Sequence, residues 1–93
     1  MPMKMSTQLQ EEILLEEKLT DTHDLVVYND DVNSFDHVIE TLISVCKHAP
    51  EQAEQCTWII HHKGKCTVKN GEFSFLKELR TLICEKGISA EVL

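Results

Sequence analysis

Two short stretches carry polar groups of the right kind to grip a small ligand. In Leu25-Val26-Val27-Tyr28-Asn29-Asp30-Asp31 an apolar run stops at one amide and two carboxylates. In Ile60-His61-His62-Lys63-Gly64-Lys65 an apolar segment ends in an imidazole, with a glycine close behind. An Asn carbonyl, an ionised carboxylate and one ring nitrogen of a neutral His all accept hydrogen bonds. Acceptors at a strand end and an imidazole at a helix end could together hold one small cationic group. Each half alone has a plainer reading. Asn-Asp-Asp after a strand is commonly a turn and helix cap, and a His at a helix C-terminus interacts favourably with the helix dipole. On the residues alone the plainer reading is favoured over a site.

Other chemistries find less support. His37, His48, His61, His62 and the cysteines Cys46, Cys56, Cys66 and Cys84 include no C-x₂-C or H-x₃-H signature, and adjacent histidines on a helix or strand point in different directions. Cys66 with His61 would need a third orienting group and a glycine-framed oxyanion site, and neither is evident. No catalytic residue, metal or cofactor is expected.

Hydrophobic patterning supplies the framework for these groups. Leu25–Tyr28 reads as a short buried strand. Asn33 or Ser34 can cap a helix, with Asp36 in its first turn. Phe35, Val38, Ile39, Leu42 and Val45 then form one apolar stripe. His48-Ala49-Pro50 breaks it, and Pro50 suits the first position of a second helix. The inward face of that helix is Ala53, Cys56 or Thr57, and Ile60, and Gly64 supplies a left-handed stop. Residues 65–70 alternate as a half-exposed strand, and Asn70-Gly71 reads as a turn. Ser74 is expected to cap a third helix buried through Phe75, Leu76, Leu79, Leu82 and Ile83, ended by Gly87. Residues 88–93 complete the sheet. The order is β-α-α-β-α-β: an α+β sandwich in which a three-stranded sheet is packed by three helices.

Composition bounds the function. The chain has 93 residues and a formal charge of −7, which suits one small domain plus a tail. Residues 1–24 carry six acids and two bases and are expected to be a mobile acidic extension, leaving 25–93 as the folded domain. The acidity argues against nucleic acid, which needs clustered Lys and Arg. No run approaches the ~18 apolar residues of a membrane span, and nothing at the start reads as a signal peptide. A reducing cytoplasm with small buried thiols is the expectation, and a monomer.

The Asn29-Asp30-Asp31 motif and Ile60-His61-His62-Lys63-Gly64-Lys65, at their separation, resemble the ClpS family of adaptors. The likeness covers roughly residues 25 to 93 and is clearest up to Lys65. The resemblance implies binding of N-terminal degradation signals and their delivery to the N-terminal domain of a ClpA/ClpC-type AAA+ unfoldase. It implies substrates beginning with Leu, Phe, Tyr or Trp. The cationic group would then be a free N-terminal amine, with a pKa near ~8 and three donors. Asn29 would offer a carbonyl, Asp31 a carboxylate directly or through water, with Asp30 beside it, and His61 a ring nitrogen.

The family resemblance also implies a specificity pocket between the first two helices, at Asn33, Phe35, Val38, Thr57 and Ile60. Of these, Val38 and Ile60 also suit plain core positions. Phe35 stands where the family usually has a methionine-like gatekeeper, and Phe is the stiffer side chain. Thr57 replaces a larger apolar residue and adds room. The family's unfoldase-docking surface lies on the third helix. Lys77 and Glu78 stand near its charged places, but in a different register, so no docking residue is carried over. A rival reading is a factor-recruiting interaction module. At fold level the layout also resembles the C-terminal domain of the ribosomal stalk protein, but that leaves the pairing with His61 without a purpose.

Overall fold

The computed structural model describes residues 22–93. The element order is β1 (Thr22–Tyr28), α1 (Phe35–Cys46), α2 (Pro50–Lys63), β2 (Lys65–Glu72), α3 (Phe73–Glu85) and β3 (Ala90–Val92). This is the expected order, and the three strands form one antiparallel sheet in the order β2-β1-β3. Of the expected N-terminal extension, residues 1–21 lie outside the described residues, while residues 22–24 open β1.

The longer β1 also lengthens its neighbour β2. Thr22, His23 and Asp24 pair with Glu72, Gly71 and Asn70, so Asn70-Gly71 lies inside β2 and is not the expected turn. Local composition favours a turn there, but a strand partner satisfies the backbone instead. Gly71 has φ 153°, a conformation that side-chain-bearing residues rarely adopt. The chain then enters α3 at Phe73 with Glu72 in the N-cap position, so Ser74 sits within the first turn and not at the cap.

Helix α1 starts where its sequence says it should. Ser34 Oγ accepts from the His37 amide at 3.1 Å, satisfying one of the orphan donors of the first turn. Val38, Leu42 and Val45 are buried, while Phe35 is 37% exposed. Helix α2 opens on Pro50 and stops at Gly64, φ 96°, whose amide donates to the Ile60 carbonyl at 2.9 Å. Helix α3 buries Leu76, Leu79 and Ile83; Phe75 and Leu82, each one position off that stripe, are exposed, contrary to expectation. The stripes of all three helices meet Leu25, Val27, Val68 and Ala90 of the sheet in one core.

All four cysteines are free. Only Cys46 is fully buried; Cys56 and Cys66 are half-buried and Cys84 is exposed on α3, so the expectation of buried thiols holds for one of the four. His48 is buried, and its Nε2–H donates to the Val68 carbonyl at 2.7 Å, tying the α1–α2 junction to β2.

Candidate functional site

The loop from Asn29 to Ser34 is braced from within. Asp30 Oδ1 accepts from the backbone amides of Val32 at 2.9 Å and Asn33 at 2.8 Å, and Oδ2 accepts from Asn33 Nδ2 at 2.7 Å. The Asn33 amide group also donates to the Gly87 carbonyl at 2.8 Å, tying the loop to the turn before β3. These amides hold the Asp30 carboxyl below its ordinary value, the Asn33 amide most of all. Asp30 and Asn33 are thus engaged with each other. Asn29 and Asp31, on either side of Asp30, are exposed.

The second motif meets the first through the backbone. The Asn29 amide donates to the Gly64 carbonyl at 2.9 Å, so the end of β1 is pinned to the stop of α2. On the other side, the Tyr28 amide donates to the Ser89 carbonyl at 3.0 Å. His61 lies in the last turn of α2, three residues before Gly64, and is exposed. Its ring stands edge-on to Phe35, the first residue of α1, with centroids 6.2 Å apart. The fold therefore brings the strand end, the start of α1 and the end of α2 to one corner.

The remaining residues expected at the pocket are core. Val38, Thr57 and Ile60 are 8%, 2% and 3% exposed. The Thr57 hydroxyl donates to the Ala53 carbonyl at 2.7 Å within its own helix. Val38 and Ile60 belong to the hydrophobic core.

An adjacent groove was not foreseen. About 400 Å³ in volume, it is lined by Phe35, Glu51, Glu54, Gln55 and Trp58. Trp58 is 51% exposed and lies over His62, ring centroids 4.0 Å apart. The four α2 residues fall at i, i+3, i+4 and i+7, on a face other than the buried one of Ala53, Thr57 and Ile60. That spacing, with an exposed Trp on an otherwise polar face, is the sequence signal that could have found it.

Among the described residues, no group of three or more His, Cys, Asp or Glu is gathered to hold a metal ion, and no helix is long and apolar enough to cross a membrane. His37, like His48, is hydrogen-bonded to a backbone carbonyl, through Nε2 to Lys86 at 2.9 Å.

Comparison with known proteins gives the same frame. The family described as "ATP-dependent Clp protease adaptor protein ClpS" matches residues 18–90. The ATP-dependent Clp protease adapter protein ClpS of Oleidesulfovibrio alaskensis is 35% identical over 63 residues, 66% of this chain and 61% of that relative's length. The structure of Agrobacterium tumefaciens ClpS2 bound to L-phenylalaninamide superposes with a TM-score of 0.69 at 19% identity, covering 78% of this chain and 95% of that one. The likeness to that structure is one of fold, and the family match spans most of the sheet and all three helices. The chain belongs to the ClpS family of Clp protease adaptor proteins.

Proposed function

We propose that the chain is a non-enzymatic, monomeric cytoplasmic adaptor that binds proteins by a bulky apolar N-terminal residue and hands them to a ClpA/ClpC-type AAA+ unfoldase. The observation that carries this reading is the 2.9 Å bond from the Asn29 amide to Gly64. It joins the strand end bearing Asn29 and Asp31 to the helix end bearing His61. An N-terminal ammonium has three donors, and Asn29, Asp31 and His61 are acceptors of suitable kind carried on these two ends. Charge-assisted bonds of this type are worth roughly 1.5–3 kcal/mol each where water is partly excluded.

The roles divide in this reading. Asn29, Asp31 and His61 accept from the amine. Asp30 and Asn33 hold the loop in shape. Phe35 stands at the mouth, and Val38, Thr57 and Ile60 form the wall against which the first side chain packs. Leu, Phe, Tyr and Trp are the expected first residues. Membership of the ClpS family supports the adaptor role, and the related fold of Agrobacterium ClpS2 has been solved with L-phenylalaninamide, a residue of this kind with a free amine.

The test is a binding titration of the full chain with Phe- and Leu-initiated peptides, free and N-acetylated. Acetylation removes the charge and two donors, leaving acceptors unpaired at ~1–3 kcal/mol each. A loss of at least about tenfold in affinity is expected, since 1.4 kcal/mol is a factor of ~10. Equal affinity for free and acetylated peptides overturns the reading, and indifference to the first residue favours a factor-recruiting module.

A further inference from the structure

We propose that the groove of Phe35, Glu51, Glu54, Gln55 and Trp58 receives the second and third residues of the bound N-terminal segment and selects Lys or Arg there. The inference rests on the amine-binding reading above and adds a second specificity element to it.

Three observations lead to that occupant. The first is continuity. Phe35 lines the groove, and its ring also meets His61 at 6.2 Å, so groove and amine corner share one residue. An extended chain advances about 3.3–3.6 Å per residue. With the amine at His61, Phe35 and the groove it lines are within reach of the second and third residues. The second is charge. The lining carries two carboxylates, Glu51 and Glu54, and no base. The third is the aromatic surface. Trp58 is half exposed, its indole lies against the His62 ring at 4.0 Å, and it lines the groove together with the two carboxylates. A long aliphatic stem ending in a cation fits all three: the stem packs on Phe35 and Trp58, and the cation meets the indole face and the glutamates. An acidic residue at the same place would face like charge, and a small neutral one would leave the aromatic surface wet.

Trp58 is the only tryptophan of the chain, so its emission reports the groove directly. The experiment titrates the full chain near neutral pH with labelled peptides beginning Phe-Lys-Lys, Phe-Ser-Ser and Phe-Glu-Glu, each free and acetylated. Affinity is read by polarisation, and Trp58 emission is recorded alongside. The expected order is Lys above Ser above Glu. Exposed ion pairs and cation–π contacts are individually modest, so the Lys-to-Glu ratio should be about five- to tenfold at low salt and shrink as salt is added. Only the Lys peptide should shift Trp58 emission strongly. Glu54→Lys should cancel or invert the order. Glu78→Lys, the same charge change on α3, should leave it as in the wild type, which separates the groove from the net charge of −7. Trp58→Ala should weaken the Lys peptide more than the Ser peptide. Free peptides beating acetylated ones with no Lys–Glu discrimination overturns the groove alone, and so does an identical response to Glu54→Lys and Glu78→Lys. Equal binding of free and acetylated peptides overturns the amine reading beneath it.

Discussion

Replacing Asp30 by Asn should loosen the Asn29–Ser34 loop while leaving its acceptors in place. The carboxylate accepts three hydrogen bonds, two at Oδ1 from backbone amides and one at Oδ2 from Asn33 Nδ2. An Asn side chain keeps an oxygen for the two backbone donors. It puts an NH₂ where Oδ2 was, so two donors face each other, and it removes the charge from the remaining pair. Bonds to a charged group are worth about 1.5–3 kcal/mol, but the residue is only half-buried and water recovers part of that; we expect about 1 kcal/mol lost for Asp30→Asn and about 2–3 kcal/mol for Asp30→Ala. The shift in urea midpoint measures both. The pH dependence has a defined sign. The folded carboxyl lies below its ordinary value, so its contribution is present above the ordinary carboxylate range and is lost as pH falls through the lower folded value. The difference between wild type and Asp30→Asn should vanish in that acid window. Binding then distinguishes a brace from a direct ligand. Asn33→Ala keeps the carboxylate and its two backbone donors but removes the Nδ2 link to Asp30 and Gly87; it should weaken binding of a Phe-initiated peptide as Asp30→Asn does, and the double variant should be little worse than either single one. If Asn33→Ala tightens binding, or if both Asp30 variants are as stable as the wild type, the brace is refuted.

Leu- and Phe-initiated peptides should bind better than Val- and Ile-initiated ones by about 1–3 kcal/mol, because β-branched bulk near the backbone meets the Phe35 ring; Phe35→Ala should shrink that gap, and an unchanged ranking would show that Phe35 does not gate the mouth. His61→Ala should weaken binding of a free N-terminus by at least about 1 kcal/mol, since it removes one acceptor from the amine, while leaving the melting temperature close to that of the wild type; unchanged affinity would remove His61 from the amine's contacts. Burial pushes the Cys46 thiol up to about 11, and burial together with the neighbouring Cys56 does the same for Cys66. At mildly alkaline pH iodoacetamide should therefore label exposed Cys84 first and Cys46 last, as mass spectrometry would resolve; fast labelling of Cys46 would contradict the packing around it.

The sequence is most informative where local chemistry decides the structure. Ser34 as cap, Pro50 as helix start, Gly64 as stop and the Val38–Leu42–Val45 stripe all depend on neighbours within one or two turns, and all are found. It misleads where a distant partner decides. Asn70-Gly71 has turn composition, but three residues at the start of β1 draw it into a ladder. Ser74 is a good cap, yet the strand runs on to Glu72 and the helix begins before it. At the site, the two motifs are legible as motifs, but the division of labour is not. That Asp30 turns inward to Asn33 while Asn29 and Asp31 remain exposed depends on the loop's own folding and on Gly87, 54 residues away from Asn33. The Trp58 groove is spaced regularly along α2 and is masked by polar residues that hydrophobic patterning ignores.

The position of β1 in the sheet has a consequence for rates. It is the central strand, and the last two amides at its site end are held from both sides, Tyr28 by Ser89 and Asn29 by Gly64. If the proposed amine site is right, an incoming N-terminus would meet a strand end that is already fixed, and little ordering of the protein would accompany capture. Association should then be single-step and nearly the same for different first residues, and differences in affinity should appear in how long each one stays. In the proposed role of passing a bound protein on, dwell time is the quantity that Phe35 and the acidic groove of α2 would set.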